Sequence, residues 1–238
     1  MPKISLCAIS YNEAEHLEKW YEMHKDFADE IILVDTGSYD GTQEIAKKLP
    51  IKFYQMKWGH SFAEAKNFAI RCCKHEWIIN QNPDLWIHPL NYKKLKSYMK
   101  GGVKGIAMPT FAFEEHGDLN LPLKHQYPLK KSELMKITNC CIFRNDPYIH
   151  YRNRVHENVN ESIIDRYGEK AIKFIKEYRY HHSPKEVYTN KEKVRYYWFL
   201  EDYASMERKF WEHAQILRKN AYDYELQISK QIFNTPNK

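Results

Sequence analysis

Four short polar clusters in the N-terminal part of the chain contain the side chains best suited to binding a polar ligand. They are Tyr11-Asn12-Glu13, residues 35–40, Trp58-Gly59-His60 and Asn82-Pro83-Asp84. Each cluster follows an apolar run that is typical of a buried strand. One such cluster by itself is explained as an ordinary turn, because Gly, Asn, Asp and Ser favour turns. Four clusters at successive strand ends favour a single shared binding site.

The elements that must position these clusters alternate between apolar runs and amphipathic stretches. Predicted strands cover residues 4–9, 31–34, 51–56 and 77–79, and predicted helices cover 14–26, 42–49 and 62–73. This βαβαβαβ order predicts an α/β fold with a mostly parallel sheet and right-handed crossovers. Ligands of such sheets bind beyond the carboxyl ends of the strands, where the four clusters fall.

The chain beyond residue 103 has a different pattern. Strand-like runs cover residues 105–113, 136–143 and 172–180. The polar, proline-containing stretch 114–132 predicts a loop. From residue 185 onward, apolar residues recur at helical spacing, which predicts a helical extension over 185–238. We therefore predict a domain over 1–184, with halves 1–103 and 104–184, followed by this extension.

The composition excludes several classes of protein. The 238 residues include 11 Phe, 6 Trp and 18 Tyr, which is enough apolar material for a core and argues against disorder. No apolar run reaches the roughly 20 residues that a membrane span needs. The N-terminus passes directly into a strand-like run, so we expect no signal peptide and a cytoplasmic location. The net charge is +6, but no nucleic-acid motif accompanies it, so we expect no nucleic-acid partner.

Five cysteines are consistent with a cytoplasmic location. They are Cys7, Cys72, Cys73, Cys140 and Cys141. Four of them are adjacent pairs, neighbouring cysteines rarely bridge each other, and the chain has no C-x-x-C spacing for zinc. We expect reduced, mostly buried side chains.

Motifs spread over most of the chain point to a known family. In order they are residues 4–13 (ISLCAISYNE), 29–42 (DEIILVDTGSYDGT), 64–69 (EAKNFA), 77–84 (WIINQNPD), 155–157 (VHE) and 181–183 (HHS). Together these motifs resemble those of family 2 glycosyltransferases, nearest to the lipopolysaccharide-core glucosyltransferase-like branch. The resemblance covers about residues 3–184. It implies a GT-A, Rossmann-like fold with a mostly parallel twisted sheet flanked by helices.

The resemblance also implies an activity. The chain would be an inverting glycosyltransferase that moves a sugar from a nucleotide-sugar, UDP-linked in our expectation, to a glycan, lipid-linked or peptide acceptor. Residues 1–103 would form the nucleotide-sugar-binding half and 104–184 the acceptor half. The aromatic and basic extension would pack on its own protein, form a homo-oligomer or contact a membrane peripherally.

Five residues of the first two clusters would hold the nucleotide. Asp35 would accept hydrogen bonds from the base or the ribose, as the equivalent aspartate of the family does. Asn12 and Glu13 would contact the nucleotide from the first loop. Ser38 and Asp40 would contact it too, although capping of the following helix explains these two residues equally well.

Four further residues would contact the donor from other parts of the chain. Lys66 would reach a phosphate or the base, or is simply an exposed helix lysine. Asn82 would accept a hydrogen bond from a ribose hydroxyl. Arg154, and with it Arg144, would stabilise phosphate.

The resemblance further implies Mn²⁺ or Mg²⁺, because GT-A enzymes usually neutralise the diphosphate with a cation held by an Asp-x-Asp motif. Here the motif reads Asn82-Pro83-Asp84, so an amide replaces the first carboxylate. Asp84 is the expected direct ligand. His181 or His182 would be a later ligand, and imidazole suits Mn²⁺ better than Mg²⁺. The alternative for the histidines is a surface pair before a proline turn. The missing charge leaves open a weak metal site, metal-independent turnover or a degenerate enzyme.

Glu157 is the candidate general base, because inversion needs a carboxylate behind the acceptor nucleophile. His156 would orient that carboxylate or contact a sugar hydroxyl. If this segment is extended, the two side chains point in opposite directions and only one of them faces the acceptor. The alternative for Glu157 is a structural ion pair with Arg154.

Two rival functions remain open. A catalytically impaired GT-A homologue would bind a nucleotide-sugar or glycan without turnover, and Asn82 favours it. A sugar nucleotidyltransferase also uses a parallel α/β sheet, but it needs a Gly-rich basic loop after the first strand. The sequence there is Ser10-Tyr11-Asn12-Glu13, which has no glycine and includes an acid.

Overall fold

The computed structural model describes residues 2–87, 91–113, 140–176 and 179–182, all within one compact unit, Met1–Lys191. The strands are β1 Ile4–Ser10, β2 Glu30–Asp35, β3 Lys52–Gln55, β4 Trp77–Asn80, β5 Leu85–Ile87, β6 Gly105–Ala107, β7 Thr110–Phe113, β8 Cys140–Arg144, β9 Ile172–Phe174 and β10 Arg179–His182. The helices are α1 Ala14–His24, α2 Thr42–Lys48, α3 Phe62–Arg71, α4 Tyr92–Tyr98 and α5 Asn160–Tyr167, with a 3₁₀ turn at Glu169–Ala171.

The described strands form a seven-stranded mixed sheet in the order β3-β2-β1-β4-β8-β6-β9. β1 is parallel to both β2 and β4, and β2 is parallel to β3. β8 is antiparallel to β4 and β6, while β9 is parallel to β6. Only β8 therefore runs against the others, and the predicted mostly parallel α/β sheet is confirmed. A smaller sheet has the order β5-β10-β7.

Helices cover both faces of the large sheet, so its interior strand β1 is buried on both sides. All seven residues of β1 are buried. Leu6 packs in one apolar cluster with Trp20 of α1, and Cys7 packs in a second cluster with Ala69 of α3. This division follows from the strand geometry, because successive side chains point to opposite faces. It explains why β1 and β2 are continuous apolar runs in the sequence.

Two runs predicted as single strands are in fact pairs of strands in different sheets. Residues 105–113 divide into β6 and β7, and residues 172–180 divide between β9 and β10. Pro109 lies between β6 and β7, and a proline has no N–H to donate to a sheet. The sequence reasoning did not assign β5, α4 or α5.

No two of the five cysteines, all of which are described, form a disulfide, and four of them are buried. Among the described helices, none is long and apolar enough to cross a bilayer. The predicted loop over 114–132 and the predicted extension over 185–238 lie outside the described residues.

Candidate active site

All four polar clusters follow parallel strands whose carboxyl ends lie at one edge of the large sheet. β1 pairs in parallel with β2 on one side and β4 on the other, and Ser10 lies opposite Asp35. The loops after these three strands are therefore neighbours at the carboxyl edge. The fourth cluster follows β3 and leads into α3, whose first turn is capped by a 3.2 Å hydrogen bond from the Glu64 N–H to Ser61 Oγ.

The loops after β1 and β2 are held together by hydrogen bonds. The backbone N–H of Asn12 donates to Ser38 Oγ at 2.8 Å, and the N–H of Tyr39 donates to Asn12 Oδ1 at 3.0 Å. The N–H of Glu13 donates to Thr42 Oγ1 at 2.8 Å. Asn12 has a φ of 57°, a left-handed conformation that asparagine tolerates better than most residues. The structure thus places Asn12, Glu13 and Ser38 together.

Asp40 links the starts of two helices. Its Oδ1 accepts from the Thr42 N–H at 3.0 Å, and its Oδ2 accepts from the Ala14 N–H at 3.1 Å. Burial by itself would raise the pKa of Asp40, but the hydrogen bonds from Thr42 and Ala14 outweigh it and hold the pKa below its usual value. These contacts are the capping chemistry that was one of the two interpretations of Asp40.

Asp35 is fully buried at the end of β2. Its Oδ1 accepts from the N–H groups of Gly37 and Ser38 at 3.1 and 3.0 Å and from Gln43 Nε2 at 3.0 Å. Its Oδ2 accepts from Ser10 Oγ at 3.3 Å and from the hydroxyl of Ser38. Asp35 therefore organises the loop that presents residues 36–40 at the sheet edge. Its contact with the base or ribose stays a prediction.

Hydrogen bonds of Gln81 fix the turn after β4. The Leu85 N–H donates to the Asn82 carbonyl at 2.9 Å, which closes the turn. Gln81 Nε2 donates to the Leu85 carbonyl at 2.7 Å and lies 3.3 Å from His24 Nε2. Trp20 Nε1 donates to the Gln81 carbonyl at 3.1 Å. Helix α1 thus holds the turn that contains Asn82 and Asp84.

The proton position on His24 follows from its partners. His24 Nδ1 lies 2.6 Å from the Trp20 carbonyl, which can only accept, so Nδ1 holds the proton. Nε2 is then the acceptor for Gln81 Nε2. Complete burial lowers the pKa of His24 to about 4, although the hydrogen bond to Trp20 opposes the shift. The ring is therefore neutral at physiological pH.

Asn82 and Asp84 supply oxygen ligands of the kind that Mg²⁺ and Mn²⁺ prefer. Asn82 Oδ1 is buried and has no hydrogen-bond partner among the described residues, which suits an oxygen that coordinates a cation. No group of three or more His, Cys, Asp or Glu side chains converges within the described ranges. The strand register places residue 181 opposite Leu85, next to the same turn, and residue 182 opposite Phe113. The oxygens of Asn82 and Asp84 therefore fit a divalent cation whose remaining coordination positions are filled by oxygens of a bound ligand.

Glu157 lies in a compact loop closed by a backbone bridge between Arg152 and Asn158. The exposed His156 has a φ of 54°, so the segment is not extended and the expected alternation of side chains does not apply. Lys66 Nζ lies 2.7 Å from Glu157 Oε1, and the two side chains are only 14% and 17% exposed. The carbonyl of Arg154 accepts from the Phe62 N–H at 2.9 Å, which attaches the loop to the start of α3.

Tyr151 connects this loop to the end of β4. Its hydroxyl donates to Asn80 Oδ1 at 3.2 Å, and Lys66 Nζ lies 5.0 Å from the centre of its ring. Asn67 exchanges two hydrogen bonds with the backbone of Tyr151, at 2.9 and 2.7 Å. A chain of contacts therefore runs from Asn80 through Tyr151 and Lys66 to Glu157.

The sequence reasoning missed several residues of this region. Asn80, Gln81 and Tyr151 are buried residues that connect elements distant in the sequence. A polar residue at the end of an apolar strand is the only signal for Asn80 and Gln81. Tyr11 and Tyr39 are 54% and 81% exposed at the same sheet edge, and their rings meet edge to face at 6.1 Å.

A family model described as Glycosyl transferase family 2 matches residues 5–162. This chain belongs to glycosyl transferase family 2. The match covers all the described site residues except the β10 histidines.

Three relatives of this family 2 chain are similar to it over part of their length, and two of them are named glycosyltransferases. A TPR repeat-containing protein of Synechococcus elongatus is 30% identical over 164 residues, which are 69% of this chain and 37% of that protein. An uncharacterized glycosyltransferase of Rickettsia bellii is 25% identical over 82% of this chain and 65% of its own length. The lipopolysaccharide core biosynthesis glycosyltransferase LpsC of Rhizobium meliloti is 35% identical over 35% of this chain and 33% of its own length. The chain thus spans less than two thirds of each of these relatives.

Solved glycosyltransferase structures show the same GT-A fold. Staphylococcus aureus TarS 1-349 in complex with UDP-GlcNAc has a TM-score of 0.58 at 18% identity, covering 77% of this chain and 58% of TarS 1-349. Glucosyl-3-phosphoglycerate synthase of Mycobacterium tuberculosis, in complex with Mn²⁺, UDP and glucosyl-3-phosphoglycerate, has a TM-score of 0.56 at 13% identity. That match covers 84% of this chain and 80% of the synthase. The fold expected from the family motifs is confirmed.

Proposed function

We propose that this chain transfers a sugar, with inversion, from a UDP-linked donor to a hydroxyl or thiol of a glycan, lipid-linked or peptide acceptor. The observation that supports this function most strongly is the chain of contacts from Asn80 through Tyr151 and Lys66 to Glu157. It joins a half-buried carboxylate to the strand that leads into Asn82 and Asp84. The candidate base, Glu157, and the sheet edge that would bind the donor are therefore connected by direct contacts.

The UDP-linked donor is supported by two observations. The interlocked loops after β1 and β2 form a fixed edge with exposed aromatic rings beside polar backbone groups. TarS was solved with UDP-GlcNAc, and the Mycobacterium tuberculosis synthase was solved with UDP and Mn²⁺. We propose that Asn12, Glu13 and Ser38 contact the nucleotide from these loops.

Glu157 would act as the general base of a direct displacement. Its carboxylate takes the proton of the acceptor hydroxyl while the acceptor oxygen forms a bond to the anomeric carbon. The bond between that carbon and the UDP oxygen breaks, and UDP leaves with the electron pair. Attack from the side opposite the leaving group inverts the configuration. Lys66, 2.7 Å from Glu157, would position the base.

Asp84 and the Asn82 carbonyl oxygen would hold a divalent cation, with a β10 histidine as a further ligand. Such a cation supplies positive charge to the departing diphosphate. The protein's own contribution is the braced turn, which fixes these oxygens before the donor arrives.

The first experiment separates binding from transfer. With Mn²⁺, a panel of UDP-sugars is combined with water and with glycan, lipid-linked and peptide acceptors. The release of UDP is measured for the natural chain, Glu157→Gln and Glu169→Gln. Loss of general-base catalysis typically costs about 10²–10⁴ in rate, so we expect at least about a hundredfold loss in Glu157→Gln. UDP affinity by calorimetry should stay within about twofold in that variant. Glu169→Gln removes an exposed carboxylate outside the Arg152–Asn158 loop and should leave the rate unchanged.

Near-normal turnover in Glu157→Gln would move the base to another residue. If the natural chain binds UDP but releases none with any donor or acceptor, the impaired-homologue alternative, which Asn82 favours, replaces the enzyme proposal. If it binds no UDP at all, the donor assignment fails as well.

A further inference from the structure

Tyr151 is buried at the point where the loop that contains Glu157 meets helix α3. Its backbone is fixed by Asn67, which accepts from the Tyr151 N–H at 2.7 Å and donates to the Tyr151 carbonyl at 2.9 Å. Its hydroxyl donates to Asn80 Oδ1 at 3.2 Å, and its ring meets the Phe143 ring edge to face at 6.0 Å. Backbone, hydroxyl and ring are thus held by α3, β4 and β8, so the ring has a fixed position.

The acceptor of the Tyr151 hydroxyl is fixed as well. Asn80 is only 2% exposed, and its Nδ2 donates to Cys7 Sγ of β1 at 3.3 Å. The two ends of this amide therefore have separate partners, one on each side. That arrangement keeps the Asn80 oxygen directed at Tyr151.

The ammonium group of Lys66 lies over the face of the Tyr151 ring. Lys66 Nζ is 5.0 Å from the ring centre, within the distance at which a cation is attracted to an aromatic face. The same Nζ lies 2.7 Å from Glu157 Oε1. Both charged side chains are mostly buried, so little water competes for either group. One ammonium group is thus shared between a fixed ring and the candidate base.

A lysine needs such a second contact if it is to hold a carboxylate in one place. Its four-carbon stem is flexible, and its ammonium group is a compact charge without the rigid donor geometry of arginine. Helix α3 fixes the backbone of Lys66 but not the end of its side chain. The Tyr151 ring attracts the ammonium group from a second side and so confines it beside Glu157.

We propose that Tyr151 is a positioning residue for the candidate base, because its ring restrains the Lys66 ammonium group that holds the Glu157 carboxylate. The role rests on the proposed function, in which Glu157 takes the acceptor proton. Tyr151 acts through Lys66 and touches neither donor nor acceptor in this role. A displacement of about 1 Å at a catalytic group can cost about a hundredfold in rate, so a lost restraint on the base is measurable.

A purely structural role for Tyr151 leads to a different expectation. In that case its loss would lower the free energy of unfolding but leave the rate per folded molecule unchanged. Tyr151→Phe and Tyr151→Leu separate the two roles, because both remove the hydroxyl and only the second removes the ring. Any difference in rate between these variants therefore reports on the ring.

The kinetic test uses the full chain with the UDP-sugar and acceptor that release the most UDP in the experiment on Glu157→Gln. The constants kcat and donor KM are measured for Tyr151→Phe, Tyr151→Leu, Lys66→Met and the double variant Tyr151→Leu/Lys66→Met. Tyr98→Leu is the matched control, because Lys173 Nζ lies 4.6 Å from the centre of the Tyr98 ring. Circular dichroism verifies that every variant folds.

We expect kcat to fall at least about tenfold in Tyr151→Leu and in Lys66→Met, and to stay within about threefold of the natural value in Tyr151→Phe. Donor KM should change less than kcat, because Glu157 acts on the acceptor. The double variant should be no slower than the slower single variant, because the effects of residues in one network do not add. Tyr98→Leu should keep both constants.

A second measurement needs no turnover. The chain is treated with a limiting amount of acetic anhydride, and the acetylation rates of Lys66 and of the exposed Lys48 are compared by peptide mass spectrometry. We expect Lys66 to react at least about fivefold faster, relative to Lys48, in Tyr151→Leu than in the natural chain, because the ammonium group has lost the aromatic face. Tyr151→Phe should leave that ratio unchanged.

An unchanged acetylation ratio in Tyr151→Leu would overturn the proposal, whether or not the chain has measurable turnover. Equal kcat values in Tyr151→Phe and Tyr151→Leu, or losses that multiply in the double variant, would do the same. A failure of the proposed function gives a different result. It appears as near-normal turnover in Glu157→Gln, while acetylation of Lys66 still reports its contact with Tyr151.

Discussion

Asn82 occupies the position where the family motif leads one to expect an aspartate. Its Oδ1 is buried without a hydrogen-bond partner in the described part of the chain, whereas ordinary buried carbonyl oxygens are satisfied. A bound cation would give this unsatisfied oxygen a partner, but a neutral amide offers the cation no full negative charge. At the scale of single residues, the metal affinity of the proposed site would therefore depend on whether residue 82 is charged.

Replacing this amide by a carboxylate tests that dependence. Asn82→Asp adds a charge beside Asp84, and a charged ligand attracts a divalent cation more strongly than a neutral one. We expect the affinity for Mn²⁺ in the presence of UDP to rise by roughly tenfold, measured by titration calorimetry. In the double variant with Asp84→Ala the gain should disappear. Unchanged Mn²⁺ affinity in Asn82→Asp would place the cation elsewhere.

At the scale of elements, helix α1 positions the turn that follows β4. Trp20 and His24 are one helical turn apart, so both face the same side and both reach Gln81. Gln81 in turn bonds to the Leu85 carbonyl at the end of the turn. These contacts join residues about sixty positions apart and make Gln81 a positioning residue for Asn82 and Asp84.

Gln81→Met keeps the volume of the side chain but removes its hydrogen bonds. It removes the hydrogen bond from Gln81 to the Leu85 carbonyl, at a cost of roughly 1–3 kcal/mol, and loosens the turn. If Gln81 only stabilises the fold, the variant lowers the free energy of unfolding but leaves donor KM unchanged. We expect donor KM to rise at least about tenfold with a smaller change in kcat, because in the proposed function the turn contacts the donor. Ser97→Ala, at an exposed hydrogen-bonded serine of α4, is the control and should leave both constants unchanged.

At the scale of the whole molecule, His24 links stability to pH. The folded protein holds its pKa at about 4, against about 6.5 for an unfolded histidine. Below pH 6.5 the unfolded chain binds a proton that the folded protein does not, so stability falls as the pH falls towards 4. The loss stops below the folded pKa, where both states are protonated.

The expected size follows from that shift. Between pH 7.5 and pH 5 the contribution of His24 to the free energy of unfolding should fall by about 2 kcal/mol. Urea unfolding at the two pH values measures it. His24→Asn should lose overall stability and also this part of the pH dependence. His150→Asn, at an exposed histidine, should retain it, and an identical pH dependence in both variants would contradict the burial argument.

The early part of the fold was predictable because it depends on local pattern. β1, β2 and β4 are buried on both faces, so each is a continuous apolar run that ends in polar loop residues. The later part was less predictable. β6 and β7 are separated by only two residues yet belong to different sheets, and an alternating pattern does not reveal which neighbour a strand pairs with.

The candidate site also has a part that was predictable from the sequence and a part that was not. The polar loops after the strands were predictable in number and order, since parallel strands bring their carboxyl ends to one edge. The partners of individual residues were not. Lys66 was expected to reach a phosphate or the base, and its ion pair with Glu157 joins residues that only the folded chain brings within 2.7 Å.

The sequence by itself determined the parallel α/β sheet, the edge at which its polar loops gather and the family to which the chain belongs. These follow from periodicity and from short motifs, which are properties of neighbouring residues. Only the tertiary structure decided that Asp35 and Asp40 bond within the protein, that α1 supports the Asn82 turn and that Lys66 pairs with Glu157. Contacts of this kind join distant residues, and the spacing of residues along the chain does not specify them.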